Sequence, residues 1–320
     1  MPALKSFLPP AAARLSSGPH PDRARQDAET LLFYVLGKNR AWLIAHADDE
    51  LSEAQAARFL ALIERRHRGE PIQHITGEQE FYGLPFRVTP DVLIPRPETE
   101  HLVEKALELA ATFTGSGHIG SATIGSVSGH DFSRAESSPN DDRASAPANS
   151  GHPRILDVGT GSGAIAVALA HNLPHAQITA VDISAQALEI ARANATRNGV
   201  ADRIRFIESD LLAAVELEKF KVVLSNPPYI PTADRASLSV EVRDHEPALA
   251  LFAGEDGLDV YRHLIPQAFA VLEPRGYLLM EIGYGQSAAV ARLLDQAGFM
   301  GIEFVPDLQG ILRVVCGRRP

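Results

Sequence analysis

Residues 224–231, "LSNPPYIP", end an apolar strand pattern with a polar amide, two stiff rings and a phenol. The proline pair stops a strand, because proline lacks an N–H donor and fixes φ. Asn226 carries a side-chain carbonyl that can accept a hydrogen bond. Pro227 keeps its main-chain carbonyl while stiffening the loop, Pro228 extends the rigid corner, and Tyr229 offers a flat face on which a planar group can stack. Two fixed acceptors suit a planar amide or amine. They hold its two N–H bonds and leave the nitrogen, a weak nucleophile with a delocalised lone pair, facing a methyl donor. Such alignment lowers a barrier by orientation. Accepting from a nitrogen that becomes cationic adds electrostatic stabilisation. No general base is required, since the proton can leave after transfer. The plainer alternative is a proline-rich strand exit.

A second constellation lies upstream. "ILDVGTGSGAIAVALA" reads as strand, glycine-rich turn and helix. Gly159, Gly161 and Gly163, with Thr160 and Ser162 between them, allow a tight turn that a ligand can approach closely. Asp182 follows 19 residues after Gly163, at the end of the next strand, where a carboxylate can accept from both hydroxyls of a ribose. Turn plus acid indicate an adenosine-containing cofactor. With Ala164 the turn also fits the G-x-G-x-x-A dinucleotide pattern, so NAD and S-adenosylmethionine both remain open on these residues. A turn built only for packing is the bland reading. Residues 226–229 separate the two cofactors, because hydride transfer has no use for that quartet. Asp157 ends the first strand and either orients the turn or answers a cationic charge. His74 and His245 lack ligand-spaced partners, so no metal site is expected.

The elements that must position these residues follow from periodicity. From residue 154 strands alternate with helices, which predicts a doubly wound, mostly parallel α/β sheet with ligands at the carboxyl ends of its strands. Residues 226–229 follow the fourth of these strands and so share an edge with the glycine turn and Asp182. Residues 20 to about 70 read as a small helical bundle. "DAETLLFYVLG" puts Ala28, Leu31, Leu32, Val35 and Leu36 on one face, with Gly37 as the stop. Ser52 and Gln55 form a capping box before a stripe of Phe59, Leu60 and Ile63. Arg65, Arg66 and Arg68 close that helix and read as a solvated end. The expected division is a helical substrate-recognition domain at 1–75, a β-hairpin connector at 76–96 and a catalytic domain at 97–320. Residues 114–153 hold 6 Gly and 9 Ser with no Leu, which predicts a disordered insert.

The totals bound the function. The 320 residues are 45% apolar and 22% charged, with a net charge of −10, which opposes stable binding to a phosphate backbone. One cysteine, Cys316, excludes a disulfide framework and suits a reducing, cytoplasmic compartment; it reads as a small strand residue. No signal peptide or membrane span is expected.

Taken with their neighbours, these residues resemble a known family. "DVGTGSG", "VD" and "SNPPYI" are similar to class I methyltransferases that act on planar amino groups. "GEPIQHITGEQEFYGLPFRVTPDVLIPRPETE" (69–100), "DAETLL", "HEPALALFAGEDGLDVYR" and "MEIGYGQ" resemble the HemK-type peptide chain release factor glutamine methyltransferases, across nearly the whole chain except the insert. The resemblance implies transfer of a methyl group from S-adenosylmethionine to the side-chain amide of the glutamine in the Gly-Gly-Gln loop of bacterial-type release factors; a monomer is expected. It implies that residues 159–163 hold the methionine end of the cofactor and Asp182 its ribose. It further implies that Leu211 would pack on the adenine, where relatives often have an aromatic residue, and that Asp210 would accept from the adenine amino group. Asn226, Pro227, Pro228 and Tyr229 would bind the glutamine. Arg96 and Glu98, in "PRPETE", either roof the cofactor pocket or form an ion pair at a helix start. The alternatives are an adenine methyltransferase acting on nucleic acid, a non-catalytic module that senses the cofactor, and an NAD-dependent oxidoreductase.

Overall fold

A computed structural model of the chain describes residues 3–113 and 152–320. The insert expected at 114–153 lies outside the described residues, apart from His152 and Pro153.

The chain opens with helices α1 (Leu4–Ser16), α2 (Ala24–Leu36), α3 (Arg40–Ala45), α4 (Glu53–His67) and α5 (Ile72–Thr76). Their apolar faces close on one cluster that includes Leu4, Leu15, Leu31, Leu32, Phe59 and Ile63. Gly37 ends α2 in the left-handed region (φ 63°), and Ser52 and Gln55 make the reciprocal capping box of α4. The bundle begins earlier than residue 20: α1 forms despite Pro9 and Pro10, with Leu4, Ala11 and Leu15 buried in the cluster. Within α4 the stripe is Phe59, Leu62 and Ile63, while Leu60 is half exposed. Residues 59, 62, 63 and 66 follow the 3.6-residue period, and position 60 sits about 100° round the helix from position 59.

That period also overturns the expectation of a solvated helix end. Arg66 is only 2% exposed. Its Nε donates to Asp27 of α2 at 2.6 Å, and Nη1 donates to the Glu70 carbonyl at 3.0 Å and to Glu241. Arg65 pairs instead with Glu70.

Residues 71–96 contain α5 as well as the expected hairpin, β1 (Glu78–Phe81) with β2 (Leu84–Arg87). Tyr82 and Gly83 both have positive φ, as a two-residue hairpin turn requires. The Tyr82 amide donates to Glu100 at 2.8 Å, tying the turn to the next helix, α6 (Glu100–Phe113), which the 3-10 turn Pro97–Thr99 introduces.

The C-terminal half alternates as the periodicity predicts: β3 (Arg154–Val158), α7 (Ala164–Asn172), β4 (Gln177–Asp182), α8 (Ala185–Arg197), β5 (Ile204–Glu208) and β6 (Phe220–Ser225). After α9 (Val240–His245) come α10 (Asp259–Val271), β7 (Leu272–Glu281), α11 (Ser287–Gln296), β8 (Met300–Pro306) and β9 (Leu312–Arg318). Among the described residues these strands form a seven-stranded sheet in the order β5-β4-β3-β6-β7-β9-β8. Only β9 runs against its neighbours. One core cluster packs α6 and α7 on one face of the sheet; another packs α10 and α11 on the other. α7 is buried from Ala164 to Ala170, and small alanines let it lie between the sheet and its neighbours. Cys316 is buried in β9, and burial pushes its thiol up to about 12.

α9, which carries Glu241, is the C-terminal half's contribution to the Arg66 network. Replacing Arg66 with methionine strands the buried Asp27 carboxylate, and we expect a loss of about 3 kcal/mol in urea unfolding, largely recovered in an Asp27→Leu/Arg66→Met double variant. A single variant that unfolds at the parental midpoint would show that the pair does not hold the helices.

Candidate functional site

The site begins as a matter of register. Val181, Val158, Ser225 and Met280 lie side by side across β4, β3, β6 and β7. The next residue along each strand is Asp182, Gly159, Asn226 and Glu281. Two carboxylates, a glycine and an amide thus emerge in one row at the carboxyl edge. The strand order reverses between β3 and β6, which is where open α/β sheets bind ligands.

That edge opens on a cavity of about 860 Å³. Gly159, Thr160, Gly161, Ser162, Asp182, Leu211 and Asn226 line it. The volume is in the range of small-molecule sites. Gly159 and Gly161 have φ of 70° and 54°, and a Cβ on either would meet no atom within 4 Å, so bare backbone faces open space there. Gly163 stands back from the cavity. A Cβ there would come within 3.0 Å of the Ala191 Cβ, so this glycine serves the close approach of α7 to α8 rather than a ligand.

Asp182 accepts from the Gly161 amide at 2.8 Å through Oδ2 and from the Ser184 amide at 2.9 Å through Oδ1. It clamps the turn while both oxygens retain lone pairs for a ligand. Burial raises its pKa, opposed by those backbone donors. Asp157 is fully buried and accepts from the Thr160 hydroxyl at 2.6 Å, which places it in the turn rather than on the cavity wall. Burial pushes its carboxyl up to about 7. Asp210 and Leu211 line the wall beyond β5, Leu211 with a φ of 46° unusual for its type.

The 226–229 corner divides. Asn226 and Pro228 line the cavity. Pro227 is buried behind them, and Tyr229 packs against the second core cluster, its hydroxyl 3.4 Å from Glu281 Oε1. The corner is stitched from outside: the Ile230 amide donates to Leu251 O at 2.9 Å, and Gln286 Nε2 donates to the Tyr229 carbonyl at 2.9 Å.

Of the "PRPETE" pair, Arg96 lines the cavity and Glu98 does not. Arg96 pairs with Glu246 at 2.5 Å, so the ion pair with Glu98 at a helix start is corrected to one that crosses from the connector to the segment after α9. Burial raises Glu246, and Arg96 opposes it.

Three residues went unassigned in the sequence. Thr99 and Glu281 lie in "PETE" and "MEIG". Their hydroxyl and carboxylate are 2.5 Å apart, and Asn226 Nδ2 donates to Thr99 Oγ1 at 3.0 Å. Asn194, in the last turn of α8, is wholly buried; its Nδ2 donates to Ser162 O (2.8 Å) and Arg87 O (2.9 Å), and its Oδ1 accepts from Arg87 N (2.7 Å). It clasps the hairpin to the glycine turn. The available signal was a polar amide on an otherwise buried helix face, where an unpaired amide is costly.

His74 lies near His245 and Glu70, and its pKa is lowered chiefly by burial, with His245 adding to the shift and Glu70 opposing it. Among the described residues no cluster of three or more His, Cys, Asp or Glu suits a metal ion. No helix among those residues is long and apolar enough to cross a membrane.

With the sheet order, the reversed final strand and a glycine turn beside Asn226, the catalytic half has the class I methyltransferase architecture. The family model for a methyltransferase small domain matches residues 146–241. The structure of the hMettl16 catalytic domain in complex with MAT2A 3'UTR hairpin 6 shares the fold, with a TM-score of 0.51 at 15% identity over 83% of this chain and 82% of that one. Full-length relatives narrow the class. The chain is 41% identical to a release factor glutamine methyltransferase of Koribacter versatilis (strain Ellin345), over 99% of each. It is 42% identical to one of Bradyrhizobium diazoefficiens, over 96% of this chain and 92% of that one. The model for a PrmC N-terminal domain matches residues 10–77. The chain belongs to the release factor glutamine methyltransferase family.

Glu281 yields a test of the site's electrostatics. Its carboxyl moves from an ordinary 4.5 to about 7 on burial. The folded state therefore keeps a proton that the unfolded chain releases, so this group's contribution is full below pH 4.5 and is lost as the pH rises to about 7. We expect Glu281→Gln to shrink the fall in stability between roughly pH 5 and pH 8 by on the order of 3 kcal/mol, with Asp157 sustaining a remaining slope of the same sign. An unchanged fall, measured by thermal melts across that range, would remove Glu281 from the titration.

Proposed function

We propose that this chain transfers a methyl group from S-adenosylmethionine to the side-chain amide nitrogen of the glutamine in the Gly-Gly-Gln loop of peptide chain release factors, in the cytoplasm. The observation that carries the reading is Asn226: a strand-end amide on the cavity wall, one strand from Gly159, in a chain that aligns with glutamine methyltransferases from end to end. Bound S-adenosylmethionine supplies an electrophilic methyl group. The open backbone at Gly159 and Gly161 and the wall residues Thr160 and Ser162 suit its methionine end. Asp182 suits the ribose, and Asp210 and Leu211 the adenine. Leucine gives an apolar contact without aromatic stacking.

The protein's own contribution is positioning. Asn226 Oδ1 accepts one N–H of the glutamine amide. The Pro227 carbonyl, one residue along the same stiff loop, accepts the other. The nitrogen is left facing the methyl group, and its growing positive charge is met by two oxygens. Pro228 closes the wall beside it, and Tyr229 keeps the corner rigid through its packing and its hydroxyl. The 1–75 helices serve to recognise the release factor, held in place through Arg66 and Glu241.

Incubation with methyl-labelled S-adenosylmethionine and either a release factor or DNA, followed by mapping of the labelled residue, tests the substrate. Label on glutamine is expected, and label on adenine would overturn the reading. Asn226→Ala should lower turnover by roughly two to three orders of magnitude with little change in cofactor affinity. Near-parental methylation by this variant would end Asn226's role. Asp182→Ala should weaken S-adenosylmethionine binding about ten-fold or more in calorimetry, because it removes the ribose acceptor and frees the turn. Unchanged affinity would take Asp182 off the ribose.

A further inference from the structure

An asparagine amide has nearly the same shape either way round. Its two orientations differ in which end donates and which accepts. For Asn226 the difference is decisive, because a donor turned toward the substrate amide would oppose the N–H bonds it is meant to hold. Something behind Asn226 must therefore choose.

Asn226 Nδ2 lies 3.0 Å from Thr99 Oγ1. A hydroxyl alone does not discriminate, since it can donate or accept. Thr99 is committed by a third group: its hydroxyl lies 2.5 Å from Glu281 Oε2. Burial moves the Glu281 carboxyl to about 7, so above that pH it is ionised and can only accept; the Thr99 hydroxyl then donates to it and keeps its lone pairs facing Asn226. Only the NH2 end of the amide can meet them. Thr99 and Glu281 are 4% and 2% exposed, so water offers no easy substitute. Glu281 is held in turn from other sides: Tyr261 donates to its main-chain carbonyl at 2.9 Å, and the Tyr229 hydroxyl stands 3.4 Å from Oε1.

We infer that Thr99, backed by Glu281, is a positioning residue that sets the polarity of Asn226, turning Oδ1 toward the substrate amide. The three side chains come from the turn before α6, the end of β6 and the end of β7. Neither Thr99 nor Glu281 needs to touch the transferred group. The inference rests on the reading that Asn226 accepts from the substrate.

The experiment measures methylation of a release factor by the parent, Thr99→Val, Thr99→Ser, Asn226→Ala and the Thr99→Val/Asn226→Ala double variant. Cofactor affinity and melting temperature are recorded for each. Valine keeps the volume of threonine and removes the hydroxyl. Expected for Thr99→Val is a fall in kcat of roughly ten- to hundred-fold, with KM for the release factor and cofactor affinity near parental values. Serine should restore most of the rate. In the Asn226→Ala background, Thr99→Val should cost nothing further, since its only route of action is gone. Thr99→Ala replaces valine in the series if the latter does not fold. If Thr99→Val turns over at the parental rate while Asn226→Ala is crippled, the inference fails and the reading of Asn226 stands. Losses that multiply in the double variant would likewise overturn it, because Thr99 would then act elsewhere. If Asn226→Ala itself methylates normally, it is the underlying reading that fails.

Discussion

The site depends on parallel strands that end in step. In a parallel sheet the ladder sets which residues are neighbours, and here Val181, Val158, Ser225 and Met280 form one row. The residues that follow stand together at the carboxyl edge, so a carboxylate, a bare glycine, an amide and a second carboxylate lie within a few strand spacings of about 4.8 Å. A one-residue slip of β6 would turn Ser225 and Asn226 to opposite sides and separate the amide from the turn. The buried Ser225 hydroxyl, which donates to the Val158 carbonyl at 2.8 Å, guards that register at the last paired position.

Everything outside the sheet keeps this row in place or encloses the space before it. Asp182 and Asp157 hold the glycine turn from below, and Asn194 joins it to the connector hairpin. Arg96 and Glu246 bring the connector and the segment after α9 to the cavity's edge. Arg66, Asp27 and Glu241 fasten the helical bundle to α9. These contacts are mostly charged or amide groups withdrawn from water. Buried ionic groups add little net stability over apolar packing, but removing one partner is costly. They specify how the parts sit.

Much of this was legible in the sequence. Glycines at 159 and 161, an acid at 182 and the Asn-Pro-Pro-Tyr corner are local patterns, and the alternation of strands and helices from residue 154 follows from hydrophobic period and turn residues. Other features were not. Arg66 looks like any basic residue in a last helical turn until α2 and α9 bring Asp27 and Glu241 to it. Leu60 and Leu62 are the same residue type two positions apart, and only the packing of α1 and α2 on α4 decides which is buried. Pro9 and Pro10 argue against a helix, yet α1 forms because Leu4, Ala11 and Leu15 gain a core. Thr99 and Glu281 are 182 positions apart, and no local rule joins a threonine before a helix to a glutamate ending a strand.

The sequence by itself determined most of the elements, the sheet's winding, the edge where ligands bind, and the chemical types of the groups placed there. Those follow from short-range physics: backbone freedom at glycine, its absence at proline, and the spacing of apolar side chains. Tertiary structure alone decided which polar groups became partners. It made Arg66 a buried joint, turned Tyr229 toward Glu281, drew Gly163 against Ala191, and set Thr99 between Asn226 and Glu281. Hydrogen bonds form between whatever groups the fold brings within about 3 Å, and that proximity comes from the packing of distant segments.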